Sequence, residues 1–168
     1  MGWGKKTSGG SDESGSKPLA RKVALRRKIK ELRRLEKAAF GPHHGRTDFY
    51  AYLKAVYTLC DWSDSKISRQ TGRRVADLCH VKVRGGTTPV RIVIDATCSS
   101  QDRQAKSRWA QALEYAVAKN APAFGFEQFL HKRGGVIGCA NSMAALRKRN
   151  AALRPGKEKR SSQRHEKS

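Results

Sequence analysis

The chain has 168 residues, enough for one domain with arms, and carries 36 Lys and Arg against 14 Asp and Glu, a formal net charge of +22. Self-repulsion at that density opposes compaction, so a polyanionic partner is expected, and nucleic acid leads because phosphate contacts scale with available Lys and Arg. An acidic membrane surface, the other common polyanion, would want a basic amphipathic helix with bulky apolar residues.

No apolar run approaches a membrane span, and the first residues lack the apolar stretch of a signal peptide. Gly2 is followed at position 6 by Lys6, where a myristoylation signal needs Ser or Thr. A cytoplasmic location is therefore expected, on the nucleoid if the cell is bacterial. In that setting Cys60, Cys79, Cys98 and Cys139 are expected as reduced core thiols.

Residues 1–16 read as a flexible leader of Gly, Ser and Lys. Residues 17–40 follow as a basic helix, with ten Lys or Arg against two Glu up to Lys37. Leu25, Ile29, Leu32 and then Leu35 or Glu36 recur at helical spacing until Gly41-Pro42 stops the run. That narrow stripe can pack on the body or form a homodimer through residues 25–36. His43 and His44 are adjacent, which sends their side chains apart and argues against a metal pair.

A body from Thr47 to Arg149 begins with a helix from Asp48 to Asp61, in which Phe49, Tyr52, Leu53, Val56, Tyr57 and Cys60 are spaced by three and four. Tyr50, Tyr52 and Tyr57 are candidates for a nucleophile, but aromatics at that spacing read as core. Two readings fit Ser63–His80. One is a helix-turn-helix bent at Gly72, and the other is a single amphipathic helix that tolerates Gly72 at about 1 kcal/mol.

Val81 and Val83 then alternate with Lys82 and Arg84, Gly85-Gly86 punctuates, and Val90, Ile92 and Ile94 alternate with Arg91 and Val93. This predicts an antiparallel β-hairpin with Asp95 as the turn residue at its end. The fold class expected is thus mostly α with one small β-hairpin, an α+β chain with a winged-helix or helix-turn-helix core.

Ser99 with Asp102 three residues on resembles a capping box for a helix reaching Asn120, lined by Ala105, Trp109, Ala112, Leu113, Ala116 and Val117. Phe124, Phe126, Phe129 and Leu130 form an aromatic knot, His131-Lys132-Arg133-Gly134-Gly135 a basic turn, and Val136 to Arg149 a last helix. Residues 147–168 hold nine Lys or Arg against two Glu, and from 150 onward they read as a disordered basic tail.

These patterns point to a non-catalytic nucleic-acid-binding protein, most readily a duplex-DNA binder acting as a regulator or as a DNA-architecture or mobile-element accessory protein. Arg69, Arg73 and Arg74 would face the major groove. Lys82, Arg84 and Arg91 on the hairpin would reach neighbouring backbone or the minor groove. Lys132, Arg133, Arg147, Lys148 and Arg149 would add phosphate contacts. An RNA-binding or ribonucleoprotein component is the second reading, and a metal-dependent nuclease centred on Asp95 is the third. The nuclease lacks a second carboxylate at a spacing that would share a metal, and the cysteines, 19, 19 and 41 residues apart, lack zinc-ligand spacing. No cofactor and no metal are expected.

Overall fold

The computed structural model describes residues 16–42, 45–60 and 65–153. The leader to residue 15, the His43-His44 pair, Ser63 and the tail from residue 154 lie outside the described residues. Seven helices appear among the described residues: α1 Ser16–Phe40, α2 Arg46–Leu59, α3 Ser65–Cys79, α4 Pro89–Thr97, α5 Arg103–Ala118, α6 Phe126–Lys132 and α7 Gly135–Ala152. Among them, none is long and apolar enough to cross a membrane.

The core is built around α4. Val90, Ile92, Val93, Ile94, Ala96 and Thr97 are all buried, so this helix is apolar almost all round and is covered by α1, α2, α3 and α5. Beyond Pro89 at its first position, Arg91 and Asp95, one turn apart, are its partly exposed residues, and they pair with each other. Next to it, α2 inserts Tyr52, Leu53 and Val56. Phe40, at the end of α1, stacks on Trp109 of α5 with ring centroids 5.2 Å apart, and Phe49 meets the same indole edge-on.

Both α3 and α5 end through the same device. His80 and Asn120 adopt the left-handed conformation, and the amides of Val81 and Ala121 reach back to the carbonyls of Ala76 and Ala116 at 2.9 Å. α5 starts at Asp102, whose carboxylate accepts from the Ala105 amide at 2.6 Å, so the cap is Asp102 and not Ser99.

The expected β-hairpin is absent: no strand occurs among the described residues, and the α+β assignment gives way to an all-helical fold. Val81–Thr88 is a connecting loop whose one internal bond closes a turn from the Thr87 amide to the Arg84 carbonyl. Residues 89–97, expected as the returning strand, are α4. Thr88 caps the helix by accepting from the Arg91 amide, and Pro89 occupies the first turn, where its missing N–H costs nothing. A lone two-stranded hairpin is marginal in water, whereas a helix satisfies its own backbone and can be buried on every side.

The helix-turn-helix also gives way, because α3 runs unbroken through Gly72. Gly72 is there for another reason. A Cβ at this position would sit 3.1 Å from Pro89 Cα and 3.2 Å from Pro89 Cβ, so glycine permits α3 and α4 to approach closely.

Two further residues depart from expectation. Glu36 faces inward and accepts from the Ser100 amide and hydroxyl at 3.3 and 2.6 Å, which fixes the loop between α4 and α5. Phe124 is not part of the aromatic knot: it is 99% exposed, while Phe126 and Leu130 are buried. Ile29 and Leu32, the centre of the stripe considered for a homodimer, are covered by this chain's own core.

Candidate nucleic-acid interface

α3 turns a face of small residues to the core and a basic face to solvent, with Ile67 exposed at the edge. Ser68, Gly72, Val75 and Ala76 face the core, while Lys66, Arg69, Gln70, Arg73, Arg74 and Asp77 are exposed. With successive residues about 100° apart, these six share an arc of about 140° along the helix. Four cations and one acid therefore occupy a single solvent face. No ion pair among the described residues involves Arg69, Arg73 or Arg74, and Arg69 folds its Nε back to the Ser65 carbonyl at 3.3 Å.

The second concentration of charge is a cleft of about 530 Å³ between the 81–88 loop, α4, α5 and α7. Its lining includes Lys82, Arg84, Arg91, Arg103 and Arg147 against Asp95 and Glu114. Arg91 Nε donates to Asp95 at 2.8 Å, and another guanidinium nitrogen of Arg91 donates to the Arg103 carbonyl at 3.3 Å. Glu114, whose side chain is 12% exposed, accepts from the Thr88 hydroxyl at 2.7 Å and pairs with Arg147. One carboxylate thus joins the α4 cap, α5 and α7.

Of the arginines expected to contact nucleic acid, Arg91 and Arg147 are accordingly committed to carboxylates. Lys82 and Arg84 are exposed on the loop and have no carboxylate partner among the described residues. Lys132 is exposed at the end of α6 and Arg133 in the turn to α7, and Lys148 and Arg149 are exposed beyond Arg147 on α7. Sequence reasoning missed Lys66 and Arg103. Helical spacing from Arg69 and Arg73 would have found the first, but no local signal marks the second.

α1 adds a further basic surface. Between Leu19 and Lys28 every residue except Leu25 is exposed, and Arg21, Lys22, Arg26, Arg27 and Lys28 project from these turns. Arg33, in contrast, turns to the body and donates to Cys79 Sγ and to the Ala96 carbonyl at the C-terminus of α4, each at 3.4 Å.

The nucleophile candidates sit in the core. The Thr97 hydroxyl donates to the Val93 carbonyl at 2.8 Å, so the Tyr52 hydroxyl must donate to Thr97 Oγ1 at 3.0 Å, and burial raises the Tyr52 pKa. Tyr57 donates to the Ala121 carbonyl at 2.7 Å and is likewise raised by burial. Burial pushes the Cys60 thiol up to about 12 and raises Cys98 and Cys139. All four cysteines are free. Asp95, proposed as the centre of a nuclease, lies on a helix beside Arg91 and not at a strand end, and among the described residues no three His, Cys, Asp or Glu side chains converge.

In comparisons with known proteins, no family model matches the sequence, and no curated protein and no solved structure shows significant similarity to it.

Proposed function

We propose that this protein binds nucleic acid without transforming it chemically, with duplex DNA as the preferred form. The observation that carries the reading is the solvent face of α3, where Arg69, Arg73 and Arg74 have no carboxylate partner among the described residues while the opposite face is locked into the core. A straight exposed helix about 10–12 Å across matches the width of the major groove, and its cations meet phosphates on either side. The exposed turns of α1 and the overall charge of +22 add affinity that does not depend on base sequence.

Competition among duplex DNA, single-stranded DNA and RNA for the full chain, each titrated with salt, tests this reading. Duplex DNA should compete best, with log K falling steeply as log salt rises. Preference for RNA would make the chain a ribonucleoprotein component, and absence of binding to all three at low salt would remove the reading altogether.

A further inference from the structure

The cleft beside α4 differs from the α3 face in shape and chemistry. Its volume of about 530 Å³ lies in the usual range for a ligand site. Its floor is electrically settled, because Asp95 and Glu114 are each covered by an arginine. What remains is a rim of three cations, Lys82 and Arg84 on the loop and Arg103 at the start of α5, with no carboxylate partner among the described residues.

The loop that forms one wall is open to close approach. Among the described residues nothing lies within 4 Å of where a Cβ would stand on Gly85 or Gly86, and Gly86 has a φ of +79° in the turn closed by Thr87 N and Arg84 O. Backbone amides in such a turn can be reached by an anion that a side chain would keep away. Among the described residues no aromatic side chain lines the cleft, so these offer no surface on which a base could stack.

We propose that this cleft is a clamp for the sugar–phosphate backbone of a nucleic acid. Lys82, Arg84 and Arg103 hold phosphates, and the Gly85-Gly86 turn gives the strand room to enter. The clamp reads no bases, so its contribution to affinity is the same for every sequence. The two arginine–carboxylate pairs act as positioning elements: Arg91 ties α4 to the Arg103 backbone, and Glu114 ties the Thr88 cap to α7. This inference rests on the nucleic-acid reading above and assigns a second contact surface to it.

The test uses the full chain and two duplexes of unrelated sequence, with affinity measured by fluorescence anisotropy over a range of salt. The triple variant Lys82→Gln, Arg84→Gln, Arg103→Gln should weaken binding to both duplexes by the same factor. It should also flatten the log K against log salt slope by about 2–3, since each lost phosphate contact removes about 0.9. In the unsubstituted, isotope-labelled chain, the Gly85 and Gly86 amide resonances should shift on addition of either duplex, a readout that does not depend on the variant folding.

If the unsubstituted chain binds duplex but those amides stay still and the slope is unchanged, the clamp is wrong and the nucleic-acid reading stands. Unequal losses on the two duplexes would mean that the cleft reads bases, which also overturns the clamp. If the unsubstituted chain binds neither duplex, single strand nor RNA, the nucleic-acid reading fails and takes the clamp with it.

Discussion

The arginines of α3 and those at the floor of the cleft are the same residue type put to different uses. Arg69, Arg73 and Arg74 project from a helix whose other face is buried, and none is paired with a carboxylate among the described residues. Arg91 holds Asp95 within α4 and bonds the Arg103 carbonyl of α5, while Arg147 holds Glu114 and so joins α7 to α5 and to the α4 cap. A count of basic residues therefore overstates the charge free for a partner. The net charge argues for a polyanion, but only the geometry separates the cations that hold the protein together from those that can hold something else.

The largest effect should come from Gly138→Ala, which attacks the frame that carries Arg147 to Glu114. A Cβ there would lie 2.0 Å from the Arg133 carbonyl oxygen, so the first turn of α7 or the turn preceding it must move. We expect a loss of about 3 kcal/mol or more, seen as a large fall in the urea midpoint. A near-native midpoint would mean that the α6–α7 turn is far more yielding than its geometry implies.

Next in size is the comparison between the paired and the free arginines. Arg147→Ala leaves the mostly buried Glu114 with only the Thr88 hydroxyl, and should cost about 1–2 kcal/mol, a fall in Tm of roughly 3–6 °C. Arg73→Ala should stay within about 0.5 kcal/mol in stability while weakening duplex binding several-fold. Thermal melts and anisotropy on both variants check this. If Arg73→Ala destabilises as much as Arg147→Ala, the division between holding and binding cations disappears.

Helical periodicity in the sequence was sufficient to place α1, α2, α5 and α7 and to single out the α3 arginines. It was not sufficient for α4. Val90 to Thr97 is apolar on nearly every side because the helix is buried on nearly every side; its one helical mark is the polar pair Arg91 and Asp95 four residues apart, and the alternation of Arg91 with Val90, Ile92 and Ile94 imitates a strand. The usable signal was Thr88-Pro89, a capping residue followed by proline at the start of a helix. The pairing of Glu114 with Arg147, 33 residues away, and the inward turn of Glu36 depend on tertiary packing and have no local signature.

Gly72 shows how a correct helix can still mislead. In a continuous helix Gly72→Ala ought to gain about 1 kcal/mol of propensity. Here the new methyl would meet Pro89 Cα at 3.1 Å and Ile92 Cδ1 at 3.5 Å, so α4 must shift by a few tenths of an ångström. We expect a net loss of about 1 kcal/mol, as the strain outweighs the propensity. Because α4 carries Arg91 and the loop leading into it carries Lys82 and Arg84, duplex affinity should fall along with stability. A stabilised variant with unchanged affinity would show that the α3–α4 contact is loose and that the cleft is not held by it.

The smallest effect separates stability from binding in the opposite direction. Ser68 lies on the inner face of α3, 1% exposed, and its hydroxyl has no hydrogen-bond partner among the described residues. An unsatisfied buried hydroxyl loses its water contacts on folding and recovers nothing. Ser68→Ala removes that cost, leaves a cavity no larger than an oxygen atom and improves helix propensity, so it should stabilise the protein by about 0.5–1 kcal/mol. Arg69 and Arg73 lie on the other side of the helix and do not move, so duplex affinity and its salt dependence should be unchanged. A rise in Tm with identical binding curves would show that the two faces of α3 act independently, the inner one for the fold and the outer one for the partner. A variant that gains stability but loses affinity would instead mean that α3 must yield when the protein binds, and that its rigid exposed face is not what the partner recognises.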